Sequence, residues 1–127
     1  MNRVERVLGV KTHKDLDIWK KGIDLVTEIY KLTKNFPKEE TYGLKSQMQR
    51  AAISYPSNIA EGAARSSDAE YIRFVYMSLS SLSELETQAI ISKNLGYSSD
   101  IDALLDKIEA LRKMTLNFIR HLKARNK

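Results

Sequence analysis

Apolar residues recur at spacings of three and four along most of this 127-residue chain, which is the period of an amphipathic helix. The first such segment runs from about Leu16 to Asn35. Phe36-Pro37 ends it, because a residue before proline disfavours the α region. Gly22 weakens this helix by roughly 1 kcal/mol relative to alanine, which predicts close approach of a neighbouring helix. The predicted buried stripe is Leu16, Trp19, Ile23, Val26, Tyr30 and Thr33.

Two further helical segments follow. The second spans about Thr41 to Ala63, and its apolar positions are Leu44, Met48, Ala51, Tyr55 and Ile59. Pro56 lies inside it and removes one hydrogen bond, so we expect a kink, with two short helices as the alternative. The third segment opens on an S-x-x-E capping pattern and runs to about residues 95–96. The capping residues are Ser67 and Glu70, and the stripe is Ile72, Val75, Leu79, Leu82, Leu85 and Ala89.

A fourth helix is predicted after Ser98, with Ser99 as its N-cap. Its apolar positions form a nearly regular heptad seam: Ile101, Leu104, Ile108, Leu111, Thr115, Phe118 and Leu122. The connections are short, so sequential helices should be antiparallel neighbours. The sequence therefore predicts an all-α, elongated, antiparallel up-down-up-down four-helix bundle over residues 13–127, with an N-terminal arm at residues 1–12.

Residue types that carry catalysis or hold cofactors are scarce. The chain has no cysteine and only two histidines, His13 and His121, and it contains no Glu-x-x-His pair. Phosphate-binding glycine loops and a nucleophile elbow are also missing. We therefore predict no enzyme activity, catalytic residue, cofactor or metal site. We see no signal peptide or membrane-spanning run, so a cytoplasmic protein is expected.

Positive charge is concentrated near the end of the chain. The formal net charge is +5, and residues 112–127 hold six basic residues and no acidic one. This pattern indicates either a solvated helix end that complements the helix dipole or a surface that contacts phosphates. Trp19, Tyr30, Phe74 and Phe118 fit core or helix-contact positions, so nucleic-acid contacts should be mostly electrostatic. The candidate contacts are Lys107, Arg112, Lys113, Arg120, Lys123 and Arg125, with a second patch of Lys11, Lys14, Lys20 and Lys21.

A polar stripe accompanies the apolar one on the second helix. It consists of Gln47, Arg50, Ser54, Asn58, Glu61 and Arg65, and the third helix carries a matching band of Arg73, Ser80, Ser81, Glu84 and Gln88. In a hairpin of these helices we expect an Arg50–Glu84 pair, and a contact from Glu61 to Arg73 or Asn58. The stripe could fix helix register, form a subunit interface or line a ligand groove. We expect Arg50→Ala to destabilise the protein or its assembly.

The run FPKEETYGLKSQMQRAAISYPSNIAEGAAR resembles the signature of the four-helix bundle proteins encoded in 23S rRNA intervening sequences. HKDLDIWKKGIDL and EYIRFVYMSLSSLSELETQ are similar to flanking segments of that family, so the resemblance covers about residues 13–123. Ser80 departs from the family, where glycine is common. The central matches are Phe36, Pro37, Glu40, Tyr42, Gly43, Leu44, Gln47, Arg50, Ala51, Ala52, Ser54, Pro56, Asn58, Ile59, Ala60, Glu61 and Gly62.

The resemblance implies a four-helix bundle that assembles as a ring-like homopentamer. Relatives include the accessory variability protein of diversity-generating retroelements, which binds a reverse transcriptase and nucleic acid. We therefore expect a non-enzymatic oligomeric scaffold that binds RNA or DNA, with structured RNA as the leading choice. The alternatives are a protein-interaction adaptor, for example for a reverse transcriptase, and a family member with no direct nucleic-acid binding.

Overall fold

The computed structural model describes residues 12–126 and is all-helical over that range. It confirms the predicted all-α four-helix bundle. Short 3-10 turns, His13–Asp15 and Lys38–Glu40, precede the first two helices. The α-helices are α1 (Asp17–Thr33), α2 (Leu44–Ala63), α3 (Asp68–Asn94) and α4 (Ile101–Arg125).

Contacts between helix ends give the relative directions of α2, α3 and α4. Near the end of α4, Arg125 donates two hydrogen bonds, of 2.9 and 2.6 Å, to Asp68 at the start of α3. Lys93 at the end of α3 bonds Asp102 near the start of α4 at 2.6 Å, so these helices run antiparallel. Gly62 at the end of α2 lies against Tyr71 at the start of α3. Among neighbouring helices, α2 and α3 pack most extensively and α1 and α4 least.

Tyr55, in the middle of α2, is fully buried and contacts the other three helices. Its ring lies against Gly22 of α1, and its backbone carbonyl accepts a 2.7 Å hydrogen bond from Ser78 of α3. Its hydroxyl lies 2.7 Å from Thr115 Oγ1 of α4. Thr115 donates its own proton to the carbonyl of Leu111, so Tyr55 is the donor to Thr115. Burial raises the pKa of Tyr55 far above its usual value, although the bond to Thr115 opposes this.

The ends of α3 follow the predicted signals. Ser67 accepts a 3.2 Å hydrogen bond from the backbone N–H of Glu70, which confirms it as the N-cap. After the last turn, Gly96 has φ +74°, a conformation that glycine adopts without steric cost. Its N–H bonds the carbonyl of Lys93, and the N–H of Tyr97 bonds that of Ser92, as in a Schellman motif.

The predicted start of α4 is wrong by one residue. Asp100, rather than Ser99, precedes the helix, and no side chain caps it. Ser98 accepts a 3.3 Å hydrogen bond from the N–H of Asp100, so a local turn delays the first helical residue. The heptad seam is confirmed, because all seven of its residues are buried.

The buried face of α1 is rotated relative to the predicted stripe. Its buried residues are Ile18, Gly22, Leu25, Ile29 and Thr33. Ile23 and Tyr30, which were expected inside, are 40% and 44% exposed. The apolar surface of α1 is wider than the face that its neighbours cover, and the close approach at Gly22 selects which part is buried.

Pro56 is buried within α2, which continues from Leu44 to Ala63 as one helix. The alternative of two short helices is therefore wrong. The kink at Pro56 stays a prediction. The N-terminal arm at residues 1–12 lies outside the described residues except for Thr12, which caps the first 3-10 turn.

Replacing Gly22 with alanine should lower the free energy of unfolding by about 1–3 kcal/mol. A Cβ atom there would lie 2.6 Å from the Tyr55 ring, which is held by its bond to Thr115 and cannot move aside freely. Denaturant unfolding measures the change. Helix propensity alone predicts a gain of about 1 kcal/mol, so a stabilised variant would contradict this close approach.

Candidate functional site

The two predicted basic patches lie at the same end of the bundle. Lys21, in the second turn of α1, lines a groove together with Met114 in the second half of α4. Lys14 lies in the 3-10 turn before α1, and Lys20 lies in the first turn of α1. Lys11 lies outside the described residues. Antiparallel packing places the start of α1 beside the end of α4, so residues far apart in sequence contribute to one positive end.

Three of the six cations predicted near the C-terminus are paired with acidic side chains. Lys107 bonds Glu28 of α1. Arg112 makes two hydrogen bonds, of 2.8 and 2.6 Å, to Glu109, and these lower the pKa of that carboxyl group. Arg125 is paired with Asp68, as described above. These ion pairs reduce the charge that the three residues can offer to a phosphate.

The other three cations are exposed, and the side-chain partners that two of them contact are neutral. Arg120 donates a 2.7 Å hydrogen bond to Asn117, and Lys123 donates a 2.8 Å hydrogen bond to the Tyr76 hydroxyl. Lys113 lies two turns before Arg120 on α4, and its charge helps the hydrogen bonds from Arg112 to lower the pKa of Glu109. A neutral partner leaves the positive charge in place, so this half of α4 keeps its attraction for anions.

Tyr76 is an exposed aromatic residue that the sequence prediction missed. It is 40% exposed and lies beside Lys123. Of the aromatic residues assigned to core or contact positions, Phe74 and Phe118 are buried, while Tyr30 is exposed. The sequence did carry a signal for this exposure: Tyr76 directly follows Val75, so it lies outside the apolar stripe of α3.

A polar groove of about 350 Å³ runs between α2 and α3. It brings together six of the eleven residues of the predicted polar stripe and band. The five that do not line it are Asn58, Glu61, Arg65, Arg73 and Ser80. The amide oxygen of Gln88 is buried there and has no hydrogen-bond partner within residues 12–126. The lining residues are Gln47, Arg50, Ala51, Ser54, Ser81, Glu84 and Gln88.

The contact across this groove differs from the expected one. Among residues 12–126, no ion pair joins Arg50 to Glu84, and both side chains are exposed. The two helices are linked instead by a 2.9 Å hydrogen bond from Ser81 to Ser54. Asn58 donates to the carbonyl and hydroxyl oxygens of Ser54 at 2.9 and 3.0 Å. Water solvates the two long charged side chains, so closing an exposed pair brings little free energy.

Both predicted contacts of Glu61 are wrong. Glu61 pairs with Arg65 one turn later on the same chain segment, at 2.9 Å. Arg73 lies near Glu70 at 3.9 Å, and Asn58 bonds within its own helix turn. Residues three or four apart on a helix are already neighbours, so they pair without the chain having to align two helices.

Metal-binding clusters and membrane-spanning helices are both missing from the described residues. Among residues 12–126, no group of three or more histidine, aspartate or glutamate side chains could hold a metal ion. Within the same range, no helix is long and apolar enough to span a membrane. His13 packs edge-on against Trp19 with ring centroids 5.4 Å apart, and burial lowers its pKa.

Comparison with known proteins decides the family. Residues 14–117 match the model of the 23S rRNA-intervening sequence protein family. The chain belongs to this family. The earlier resemblance is therefore confirmed over most of the chain, including the polar stripe of α2 and the first half of α4.

A solved structure supports the same fold. The bundle of this chain is similar to the crystal structure of a protein of unknown function from the S23 ribosomal protein family of Bacteroides thetaiotaomicron VPI-5482. The two share 19% sequence identity with a TM-score of 0.72, covering 80% of this chain and 97% of the other. At this identity the likeness establishes the fold alone. No curated protein matches the chain.

Arg50→Ala should change the free energy of unfolding by no more than about 0.5 kcal/mol, because the side chain is exposed and makes no ion pair with Glu84. This replaces the destabilisation of the fold expected from the sequence, whereas the predicted effect of Arg50→Ala on assembly stays a prediction. Tyr55→Phe should cost about 0.5–1.5 kcal/mol, since it removes the buried bond to Thr115. Denaturant unfolding of both variants compares them, and a larger effect at Arg50 would contradict this ranking.

Proposed function

We propose that this protein is a non-enzymatic, homo-oligomeric scaffold of the cytoplasm that binds structured RNA through the basic end of its bundle. The observation that carries the proposal is the meeting of two basic segments at one end. Exposed Lys113, Arg120 and Lys123 lie on α4, and Lys14, Lys20 and Lys21 lie at or before the start of α1. The family is named for 23S rRNA intervening sequences, and we therefore choose RNA as the nucleic acid to test first.

Phosphate attraction accounts for this mode of binding. A cation that neutralises a phosphate releases a condensed counterion, so affinity falls as salt rises. Cations whose partners are neutral contribute fully to this term, whereas Lys107, Arg112 and Arg125 are already paired with acids. The proposed contact surface therefore contains fewer residues than the ten that the sequence predicted, and it centres on the second half of α4.

Exposed apolar side chains support self-assembly. Ile23 and Ile53 are 40% and 42% exposed and line a groove of about 370 Å³ between α1 and α2. A separate group near the end of α3 consists of Ile90, Ile91 and Leu95. A closed ring needs two different surfaces that fit each other, and the pentamer implied by the family resemblance would use two such faces.

A protein-interaction adaptor is the second candidate. The same groove between α1 and α2 favours it, because Trp19, Val26 and Pro56 give it an apolar lining. A partner such as a reverse transcriptase would cover this groove by burying apolar surface, and that association would persist at high salt. RNA binding through the basic end would weaken under the same conditions.

Changing Lys113, Arg120 and Lys123 to glutamine should weaken RNA binding and reduce its salt dependence. Each phosphate contact adds roughly 0.7–0.9 to the slope of log affinity against log salt, so the slope should fall by about two. Fluorescence anisotropy with a labelled RNA hairpin across a salt series measures both quantities.

The matched control changes Lys31, Lys34 and Lys38 to glutamine. These three exposed lysines lie at the other end of the bundle. Both triple variants lose three positive charges, so they differ only in where the charge is removed. Equal losses in the two triple variants would show that only total charge matters, and this would refute the assignment of the basic end. Absence of binding by the wild-type protein at low salt would refute the proposed function.

Ile53→Glu should reduce the assembled mass without unfolding the bundle. The side chain is 42% exposed in the subunit, so a charge is tolerated there but not in a buried interface. Light scattering should give about 72 kDa for five wild-type chains of 14.5 kDa each and a smaller mass for the variant. Ala103→Glu, at an exposed position of α4 that does not line this groove, is the control. An unchanged mass for Ile53→Glu would rule out this face as the interface.

A further inference from the structure

Tyr76 combines an exposed ring with a bound cation at the basic end of the bundle. Its side chain is 40% exposed on the outer side of α3. The Lys123 ammonium lies 2.8 Å from the Tyr76 hydroxyl oxygen and 5.1 Å from the ring centroid. These distances place the ammonium near the hydroxyl edge, where it holds the ring in position and leaves ring surface accessible.

Further cations flank this ring. Arg73 lies one turn before Tyr76 on α3, and its side chain is 61% exposed. Its guanidinium lies over the Phe74 ring, 4.8 Å from the centroid, and 3.9 Å from a carboxylate oxygen of Glu70. Arg120 lies one turn before Lys123 on α4 and bonds only a neutral amide. An aromatic ring between basic residues is the arrangement with which proteins hold an unpaired base and its neighbouring phosphates.

We propose that Tyr76 is a base-stacking position, so that the bundle binds an unpaired nucleotide of its RNA there, with Lys123 and its neighbours contacting the backbone. The inference rests on the proposed function and extends it from general phosphate attraction to single-stranded segments such as loops and bulges. Bases within a duplex are stacked on each other and cannot reach a flat protein ring, whereas unpaired bases can.

One aromatic residue is enough to give the expected preference for unpaired nucleotides. Stacking needs a ring whose orientation is fixed before binding, because fixing it on binding would cost conformational entropy. The bond from Lys123 restrains Tyr76 in this way. Every base has a flat face, so the site should distinguish unpaired from paired nucleotides without reading sequence.

Replacing Tyr76 with alanine tests the inference. Anisotropy titrations use a labelled single-stranded RNA and the same strand annealed to its complement. Stacking on one aromatic ring corresponds to roughly a 5-fold to 100-fold change in affinity, so single-strand binding should weaken by that factor. Duplex binding and the salt slope should stay unchanged, because no cation is removed. Tyr76→Phe should bind the single strand more tightly than Tyr76→Ala and less tightly than wild type, because it keeps the ring but loses the bond to Lys123.

Tyr42→Ala is the control, since this tyrosine is 96% exposed and lies before α2, at the opposite end of the bundle. Equal affinities of wild type and Tyr76→Ala for the single strand would overturn the inference while leaving the proposed function intact. A loss of affinity accompanied by a changed mass in light scattering would also overturn it, because Tyr76 would then serve assembly. If the wild-type protein bound neither RNA, the proposed function and this inference would fail together.

Discussion

The buried Tyr55 side chain is the constraint on which the rest of this bundle depends. Its ring occupies the space beside Gly22 of α1, and its hydroxyl and carbonyl groups bond Thr115 of α4 and Ser78 of α3. A polar group at the centre of a core must be paired, so only an arrangement that supplies these partners satisfies it. The relative positions of all four helices are linked through one residue, and the outward faces that carry function follow from those positions.

Hydroxyl side chains provide the other polar links inside the bundle. Thr33 and Thr115 each donate to a carbonyl of their own helix, at 2.7 Å, and each accepts a hydrogen bond from α2. Such residues remain satisfied within one helix turn and still specify a partner across the interface. The hydrogen bonds of these inward-facing hydroxyl groups are satisfied within the bundle, so their presence in the core is explained by the fold.

The bundle separates its surface charges into two classes. Cations that lie beside an acid on a neighbouring helix or turn become structural, as Arg125 does with Asp68. Cations with neutral neighbours, such as Arg120 and Lys123, keep their full electrostatic reach. The proposed RNA binding therefore depends on which neighbour the packing gives to each cation. The same contact that gives Lys123 a neutral partner also brings Tyr76 to the basic surface, where it adds an aromatic face.

Local sequence signals were enough to predict the helices, because capping residues, proline and the apolar period act over a few neighbouring positions. Ser67, the heptad seam of α4 and the all-helical class of residues 12–126 were predictable for that reason. The motif from Phe36 to Gly62 also indicated the family. Only the tertiary structure decided which side of α1 is buried, that Arg50 and Glu84 stay apart, and that half of the C-terminal cations are paired. Those outcomes depend on helix rotation and on neighbours that are distant in sequence, and periodicity carries no information on either.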